Sequence, residues 1–394
     1  MEVKLSKKDE DKVKNISDEF LKKIKVRNAK AIVGGSGAKG TWLSETKEID
    51  IFVKFNYSHK DKDLSKLLER ELKKKFKRIT RIHGSRDYFR INYRGFNFEV
   101  IPILNISNVK QAKNITDISP FHVKWVKNNI KGLANEIRLA KLFCKANKLY
   151  GAESYIRGFS GYALEILVIH YGSFKNLVRK ASKWKVKQVI DPKKYHKDAL
   201  KELNIAKIQA PLILIDPVQA ERNVTAALSL EKFDKFKELS KKYLKNFSDK
   251  FFEIVEFDVK KLKGNLVLLK ITPLRGKRDV VGAKLLKCFN FIKKNLEEFK
   301  VVKSDWEWDK EAIFWFILRE KKLSKYKKHY GPLFEQKKHL KAFKNKWKKY
   351  SIKKEGIKTY VMLPREHKEL KDFVKNLIKG EDIKKRVKTI KLEK

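Results

Sequence analysis

Cysteine is almost absent from this chain of 394 residues, which contains only Cys144 and Cys288. Two cysteines so far apart provide neither a disulfide framework nor the CxxC spacing of a zinc site, and they favour a reducing compartment. Long apolar runs are also missing, because the longest, residues 162–171, includes Glu165 and His170 and is too short to span a bilayer. The first fifteen residues lack the apolar segment of a secretory signal. We therefore expect a soluble, cytoplasmic protein that does not enter a membrane.

Acidic residues are scarce relative to basic ones, with 47 Asp and Glu against 96 Lys and Arg and a net charge of +49. Such a surface attracts polyanions and gains free energy from the release of their counterions. A lysine-rich proteome would also raise the charge, and we expect both causes to contribute. Hydrophobic residues make up 42% of the chain, which is enough for packed cores.

Residues 321–349 concentrate this charge, with twelve lysines, one acid (Glu335) and spaced aromatic residues. Lysines with interleaved aromatics can hold phosphates and stack on bases, whereas an amphipathic helix would bury the aromatics and leave the lysines in water. We interpret the aromatics as core residues and expect some of the lysines to contact RNA. The candidates are Lys337, Lys338, Lys341 and Lys344.

Hydrophobic periodicity predicts a multidomain α+β protein. The first hundred residues predict a mixed sheet, with strands at 31–33, 48–55, 79–83, 88–93 and 96–104, a helix at 61–76 and a tight turn at Arg94-Gly95. Helical spacing dominates from residue 120 to 203, with Ser160 a candidate N-cap, before an apolar strand at 211–215. Further strands at 266–272, 314–318 and 359–363 and a helix at 283–298 predict a second α+β unit. We divide the chain into a catalytic head (1–118), a mainly helical neck (119–250) and a basic α+β body and tail (251–394).

A glycine-rich segment follows the first predicted strand, as Gly34-Gly35-Ser36 with Lys39 three residues further on. Glycines without a Cβ let backbone N–H groups approach an anion, and a hydroxyl and an ammonium there could hold a triphosphate. The spacing is not that of a Walker A loop.

Three acids accompany this segment. Glu48 and Asp50 alternate along one strand and therefore share a face, while Ile49, Ile51 and Val53 line the other. Glu99 interrupts the apolar strand 96–104, where an acid is costly unless it is paired or binds a metal. Carboxylates are the ligands that Mg²⁺ prefers. An exposed strand face or an ordinary strand-to-helix turn would explain either feature alone, but together they favour catalysis.

These residues resemble the polymerase-beta-like nucleotidyltransferase superfamily, and four collinear stretches are similar to the archaeal, class I CCA-adding enzymes. The stretches are GSGAKGTWLSETKEIDIF, SPFHVKW, KLFCKANKLYGAESYIRGFSGY and DPVQAERNVTAALS, all between residues 30 and 230. The region beyond residue 250 is less similar, as at Gly331-Pro332-Leu333-Phe334-Glu335. The resemblance implies addition of C, C and A from CTP and ATP to the 3′ end of tRNA, with release of pyrophosphate.

The resemblance also assigns the site residues. It implies that Gly35, Ser36 and Lys39 bind the triphosphate, and that Glu48, Asp50 and Glu99 hold two Mg²⁺ ions. It further implies that His122, Lys141 and Tyr150 complete the nucleotide site and that Arg222 recognises the base. The same resemblance implies that the basic C-terminal half binds the acceptor and T arms of tRNA. It also implies a homodimer.

The residues alone support the neck assignments unevenly. Lys141 falls on the helix face of Leu133 and Ile137, where it either snorkels or needs a partner such as phosphate. Arg222 has ordinary salt-bridge partners nearby in Asp216 and Glu221. The roles of His122 and Tyr150 are carried by the resemblance only.

Two residues depart from the family pattern, which usually has Arg at the position of Lys39 and Asp at that of Glu99. Lysine offers a point charge instead of a bidentate fork, and glutamate reaches one methylene further than aspartate. Both departures keep the charge, so we expect an active enzyme. The alternatives are a poly(A) polymerase, an oligoadenylate synthase, or a relative that binds RNA with weakened catalysis.

Overall fold

A computed structural model describes residues 6–255 and 258–393 of the chain, divided after residue 255 into two units. The first unit contains the predicted head and neck together with residues 251–255 of the predicted body, and the second contains the rest of the predicted body and tail. The mixed α+β class expected from the sequence is confirmed in both units.

The head is built on a five-stranded mixed sheet with the strand order β1-β2-β5-β4-β3. Its strands are β1 (Ala29–Val33), β2 (Glu48–Phe55), β3 (Thr80–Ile82), β4 (Tyr88–Tyr93) and β5 (Phe96–Leu104). The central strands β2 and β5 run parallel, whereas β4 and β5 form an antiparallel hairpin. The hairpin turn is Arg94-Gly95, where both residues have positive φ. The predicted strands and the turn are therefore confirmed.

One face of this sheet is apolar because alternate residues of each strand point the same way. Ile49, Ile51 and Val53 of β2 join Phe98 and Val100 of β5 in one buried cluster. Two helices cover this face, α1 (Lys7–Lys23) and α3 (Leu64–Lys73). The residues between these apolar ones, including all three predicted acids, consequently belong to the opposite face.

The neck consists mainly of helices, as predicted, around a second buried cluster. The helices of the first unit beyond α3 are α4 (Ser119–Asn129), α5 (Ala134–Ala146), α6 (Gly161–Tyr171), α7 (Phe174–Ala181), α8 (Ala199–Glu202) and α9 (Leu230–Lys245). A short parallel pair accompanies them, β6 (Gln188–Ile190) and β7 (Leu212–Leu214). Ser160 caps α6 as predicted, since its hydroxyl accepts a hydrogen bond from the Ala163 N–H.

The second unit contains two antiparallel sheets. The larger has the order β14-β8-β10-β9, formed by β8 (Asn265–Thr272), β9 (Val301–Trp308), β10 (Ala312–Leu318) and β14 (Thr389–Leu392). Helices α10 (Arg278–Asn295), α12 (Leu370–Leu377) and α13 (Glu381–Lys384) contribute residues to its core. The smaller has the order β11-β13-β12, formed by β11 (Tyr326–Leu333), β12 (Ile352–Glu355) and β13 (Lys358–Pro364), and α11 (Lys337–Lys346) follows β11.

The interpretation of residues 321–349 as an amphipathic helix with buried aromatics is wrong. The segment forms strand β11 and then helix α11. Tyr326, Tyr330 and Phe334 are all more than 40% exposed. The break has a local cause, because Gly331-Pro332 cannot continue a helix and coincides with a register shift between Tyr330 and Leu333.

Both cysteines lie in helices, Cys144 in α5 and Cys288 in α10, and both are buried. Within residues 6–255 and 258–393, none of the helices combines the length and the apolar character needed to cross a membrane.

Candidate active site

The glycine-rich segment lies against the polar face of the head sheet. After β1, the Gly34 N–H donates to the backbone oxygen of Asp50, and the chain then forms the short helix α2 (Gly35–Lys39). Gly35 has φ +53°, and a Cβ there would lie 1.6 Å from Oδ2 of Asp50. A Cβ at Gly34 would meet the Phe52 ring at 2.5 Å. Both glycines are therefore needed for the loop to approach the strand that carries the acids.

The structure brings the three predicted acids together. In the parallel pair β2 and β5, Asp50 lies directly opposite Glu99, and Glu48 precedes Asp50 by two residues on the same face. Burial and then the Glu99 carboxylate raise the pKa of Asp50 to about 6, although Lys39 opposes them. Burial also raises the pKa of Glu99. The raised pKa values mean that a cation placed between these carboxylates would be strongly favoured.

A cation that the sequence analysis missed already occupies part of this face. Arg90, on β4, lies opposite Glu99 in the hairpin, and its Nη2 donates to Glu99 Oε1 at 2.6 Å. The same nitrogen lies 3.7 Å from Glu48 Oε1. Among the described residues, no three His, Cys, Asp or Glu side chains are already gathered in a geometry suited to a metal ion. Glu48 is 57% exposed, so it has room to reorient when a cation binds.

Lys39, predicted to bind the triphosphate, and Lys141, predicted to complete the nucleotide site, both contact a buried acid that the sequence did not mark as a site residue. The Lys39 Nζ donates to Glu165 Oε2 at 2.6 Å, and the Lys141 Nζ donates to Glu165 Oε1 at 2.8 Å. Burial alone would raise the pKa of Glu165, but the two lysines outweigh it and keep that pKa below its ordinary value. The partner that Lys141 was expected to need is therefore a carboxylate of the protein.

The loop after α2 is fastened to the neck through its backbone. Arg138 of α5 donates from Nη2 to the Gly40 oxygen at 2.7 Å and from Nε to the Trp42 oxygen at 3.1 Å. Between these two positions, Thr41 is fully buried, and its hydroxyl donates to Glu165 Oε1 at 2.6 Å. The nucleotide loop of the head is thus held by α5 and α6 of the neck.

The predicted residue Tyr150 lies beside this cluster. A Cβ added to Gly161, the first residue of α6, would lie 2.7 Å from the Tyr150 hydroxyl and 3.7 Å from the Lys141 Nζ. A side chain at this position would therefore force the Tyr150 hydroxyl to move, whereas the Lys141 ammonium would remain in ordinary contact with it.

His122 and Arg222 meet at Asp216. The Arg222 Nη1 donates to Asp216 Oδ2 at 2.7 Å, and the His122 Nε2 lies 3.2 Å from the same oxygen. The Tyr162 hydroxyl donates to Asp216 Oδ1 at 2.9 Å, and its ring stacks on His122 with centroids 4.2 Å apart. Burial lowers the pKa of His122, although Asp216 opposes it, so the imidazole is neutral near pH 7. The Lys39 Nζ lies 5.3 Å from the Tyr162 ring centroid, which links this cluster to the loop.

The four lysines predicted to bind RNA lie in the second unit. Lys337, Lys338, Lys341 and Lys344 all belong to α11 and are exposed. Leu340 of the same helix is buried. Lys338 lies opposite it, whereas Lys337 and Lys344, three and four residues away, flank it on its own side and extend past it to solvent.

Comparison with known families matches three parts of the chain. Residues 13–97 match the model of a nucleotidyltransferase domain, and residues 135–253 match that of the second domain of tRNA nucleotidyltransferases. Residues 277–391 match the model of the C-terminal domain of CCA-adding enzymes.

Curated relatives are similar over most of the chain. The CCA-adding enzyme of Nanoarchaeum equitans is 40% identical over 333 residues, which cover 82% of this chain and 81% of the relative. The CCA-adding enzyme of Methanosarcina barkeri is 34% identical over 361 residues, covering 86% of this chain and 78% of the relative.

Among solved structures, the Cid1 poly(U) polymerase superposes with a TM-score of 0.51 at 14% sequence identity, covering 64% of this chain and 95% of that one. A likeness at this identity supports the nucleotidyltransferase fold only.

Proposed function

Because the chain belongs to the family of CCA-adding enzymes, we propose that it adds C, C and A to the 3′ end of tRNA without a template, from CTP and ATP and with release of pyrophosphate. One observation supports this most directly. The parallel pairing of β2 and β5 sets Asp50 beside Glu99, with Glu48 on the same face and the glycine loop against Asp50.

The carboxylates fit divalent cations in three respects. They supply hard oxygen ligands, burial and then the Glu99 carboxylate raise the pKa of Asp50 to about 6, and the absent Cβ of Gly35 leaves room beside Oδ2 of Asp50. We propose that Glu48, Asp50 and Glu99 hold two Mg²⁺ ions. Bound Mg²⁺ would neutralise charge at the α-phosphate and lower the pKa of the attacking 3′-hydroxyl.

The protein's own groups then orient the nucleotide. Gly35, the Ser36 hydroxyl and Lys39 belong to the loop that approaches Asp50, and we assign them to the triphosphate. Lys141 and Tyr150 support this part of the site from α5 and the segment after it. Lys39 supplies a positive charge where the β- and γ-phosphates would lie, so that the leaving pyrophosphate is stabilised.

Base recognition falls to the cluster around Asp216. Asp216 fixes the Arg222 guanidinium, which remains one-third exposed and can still donate to a base. Neutral His122 stacked on Tyr162 supplies a flat surface with a ring nitrogen at its edge. Arg222 can donate to the acceptor ring nitrogen that cytosine and adenine both present beside their exocyclic amine.

The tRNA itself is assigned to the basic second unit. The exposed lysines of α11 can neutralise phosphates of the acceptor and T arms without reading sequence. A homodimer and a cytoplasmic location stay predictions from the sequence.

The test is nucleotide addition to tRNAs that end at the discriminator base, at C or at CC, with Mg²⁺ and CTP, ATP or both. Growth by C, C and A that then stops, and that disappears in Asp50→Asn, is the expected result. Asp50→Asn keeps the side-chain volume and removes the charge, so it tests the carboxylate itself. Long A tails would indicate a poly(A) polymerase, and tight tRNA binding without extension would indicate a catalytically weakened relative.

A further inference from the structure

Glu165 is a buried charged group next to the proposed triphosphate site, with only 1% of its side chain exposed. Three donors satisfy its two oxygens: Lys39 on Oε2, and Thr41 and Lys141 on Oε1. Two of these donors come from the head and one from the neck. A carboxylate this deep requires such partners, and its loss would leave their charges without compensation.

The two lysines differ in how many of their ammonium N–H groups already donate a hydrogen bond within the protein. The Lys141 ammonium has three N–H groups and three acceptors, namely Glu165 Oε1, the Thr41 hydroxyl at 3.0 Å and the Thr41 backbone oxygen at 3.1 Å. Among the described residues, the Lys39 Nζ donates to Glu165 Oε2 only. Lys39 therefore retains N–H groups for a phosphate, whereas Lys141 fastens the loop.

The charges of the cluster decide how strongly it attracts an anion. Two ammonium groups and one carboxylate leave a single net positive charge in a poorly hydrated place. A triphosphate or pyrophosphate that approached Lys39 would meet the Glu165 carboxylate at 2.6 Å from the same nitrogen. Repulsion between the carboxylate and the phosphate oxygens would weaken the complex.

From this geometry we propose that Glu165 is a positioning residue that limits how tightly Lys39 holds phosphate, and that it thereby speeds the departure of pyrophosphate. The proposal rests on the proposed function, because it takes the Lys39 site to be the triphosphate site. Glu165 acts through Lys39 and does not itself contact the nucleotide.

The test compares the wild type with Glu165→Gln and Thr41→Val. Pyrophosphate binding is measured by calorimetry at fixed Mg²⁺, together with thermal unfolding at increasing pyrophosphate. Glu165→Gln should bind pyrophosphate about tenfold more tightly, because it removes the opposing charge but keeps the shape. The rise in melting temperature that pyrophosphate causes should be larger in this variant than in the wild type. Its kcat for C addition should fall together with the KM for CTP.

Thr41→Val is the matched control, since it removes the hydrogen bond from Thr41 to Glu165 and the one from Lys141 to the Thr41 hydroxyl but leaves every charge in place. It should lower the melting temperature without changing the pyrophosphate Kd by more than about twofold. If Glu165→Gln is destabilised but binds pyrophosphate no more tightly, Glu165 is merely structural and the proposal is overturned.

A second pair of variants tests the proposal in case Glu165→Gln does not fold. Glu165→Gln combined with Lys141→Met removes the buried ammonium that would lose its partner, and it is compared with Lys141→Met alone. Tighter pyrophosphate binding in the double variant supports the proposal, and equal or weaker binding overturns it. A wild type that binds neither CTP nor pyrophosphate would instead contradict the proposed function.

Discussion

Arg90 shows how a single cation changes a carboxylate cluster. Its guanidinium bonds to Glu99 and approaches Glu48, so part of the negative charge proposed for Mg²⁺ is already compensated by the protein. It is 39% exposed, so water screens this effect. A metal ion that binds here must displace Arg90 from Glu48 or share Glu99 with it.

We therefore predict that Arg90→Gln binds Mn²⁺ several-fold more tightly than the wild type does, within about one order of magnitude because of the screening. Free Mn²⁺ can be measured by electron paramagnetic resonance. Arg94→Gln is the control, because Arg94 lies in the same hairpin but pairs with Glu19. Weaker Mn²⁺ binding in Arg90→Gln would mean that Arg90 mainly orients Glu99 for the metal.

The raised pKa of Asp50 predicts that the stability of the metal-free protein depends on pH. Its folded pKa of about 6 lies above the ordinary value of 3.8, so the folded state holds the proton more tightly than the unfolded state. The resulting stabilisation is complete below about pH 4 and is lost as the pH rises through 6. With EDTA present, Asp50→Asn should be about 1–3 kcal/mol more stable than the wild type at pH 7.5.

Denaturant unfolding at several pH values measures this difference. It should shrink toward zero as the pH falls from 7 to 4. A difference that did not vary with pH would show that the Asp50 carboxylate is not destabilised by its surroundings.

The hairpin formed by β4 and β5 is the element that organises the site, and its register could have been predicted in full. The Arg94-Gly95 turn, recognised in the sequence, fixes Tyr93 opposite Phe96 and therefore Arg90 opposite Glu99. The same argument that marked Glu99, an isolated acid in an apolar segment, also applied to Glu165 within α6. Arg90 and Glu165 were missed because each was considered without its neighbours across the sheet or between the helices.

Other elements could not be predicted from local sequence. Helix α2 begins Gly-Ser-Gly, which has low helix propensity, and it is supported by Arg138 at the Gly40 oxygen, about a hundred residues away. The exposure of Tyr326 and Tyr330 likewise depends on how the small sheet packs. By contrast, the bounds of β2, β4 and β5 followed directly from alternation.

Two glycines in the loop around α2 give a matched test of its approach to β2. Gly35 and Gly40 both have positive φ, but a Cβ at Gly35 would strike Asp50, whereas nothing lies within 4 Å of one at Gly40. Alanine at either position should cost about 1 kcal/mol in backbone strain. We predict that Gly35→Ala lowers kcat/KM for C addition by at least about 100-fold, since even a 1 Å misplacement is that costly.

Gly40→Ala should retain activity within about tenfold, because it carries only the strain. Single-turnover addition of CMP and thermal unfolding measure the two quantities separately. Equal activities in both variants would mean that the loop can move away from Asp50 without loss.

At the scale of the whole molecule, the net charge of +49 predicts that tRNA binding weakens steeply with salt. The contribution of α11 can be separated from the total charge. Changing Lys337, Lys338, Lys341 and Lys344 to Gln should reduce the slope of log Kd against log salt by up to about 3, with the KM for CTP unchanged.

The control changes Lys7, Lys8, Lys12 and Lys14 of α1 to Gln, which removes the same charge from exposed positions of the first unit. Filter binding at several salt concentrations compares the two variants. Equal slopes would indicate that tRNA responds to the overall charge and not to α11.

The attachment of the nucleotide loop to Arg138, Lys141 and Glu165 also limits how this protein can be taken apart or recombined. The carboxylates are set by strand pairing within the head and would survive the transplantation of residues 1–118 onto another helical domain. The loop would not survive it, because the groups that hold its backbone are supplied by α5 and α6. A working chimera would have to carry these three neck residues with the head. The part of the chain that must be transferred together to keep this active site is accordingly larger than the sheet that bears its acids.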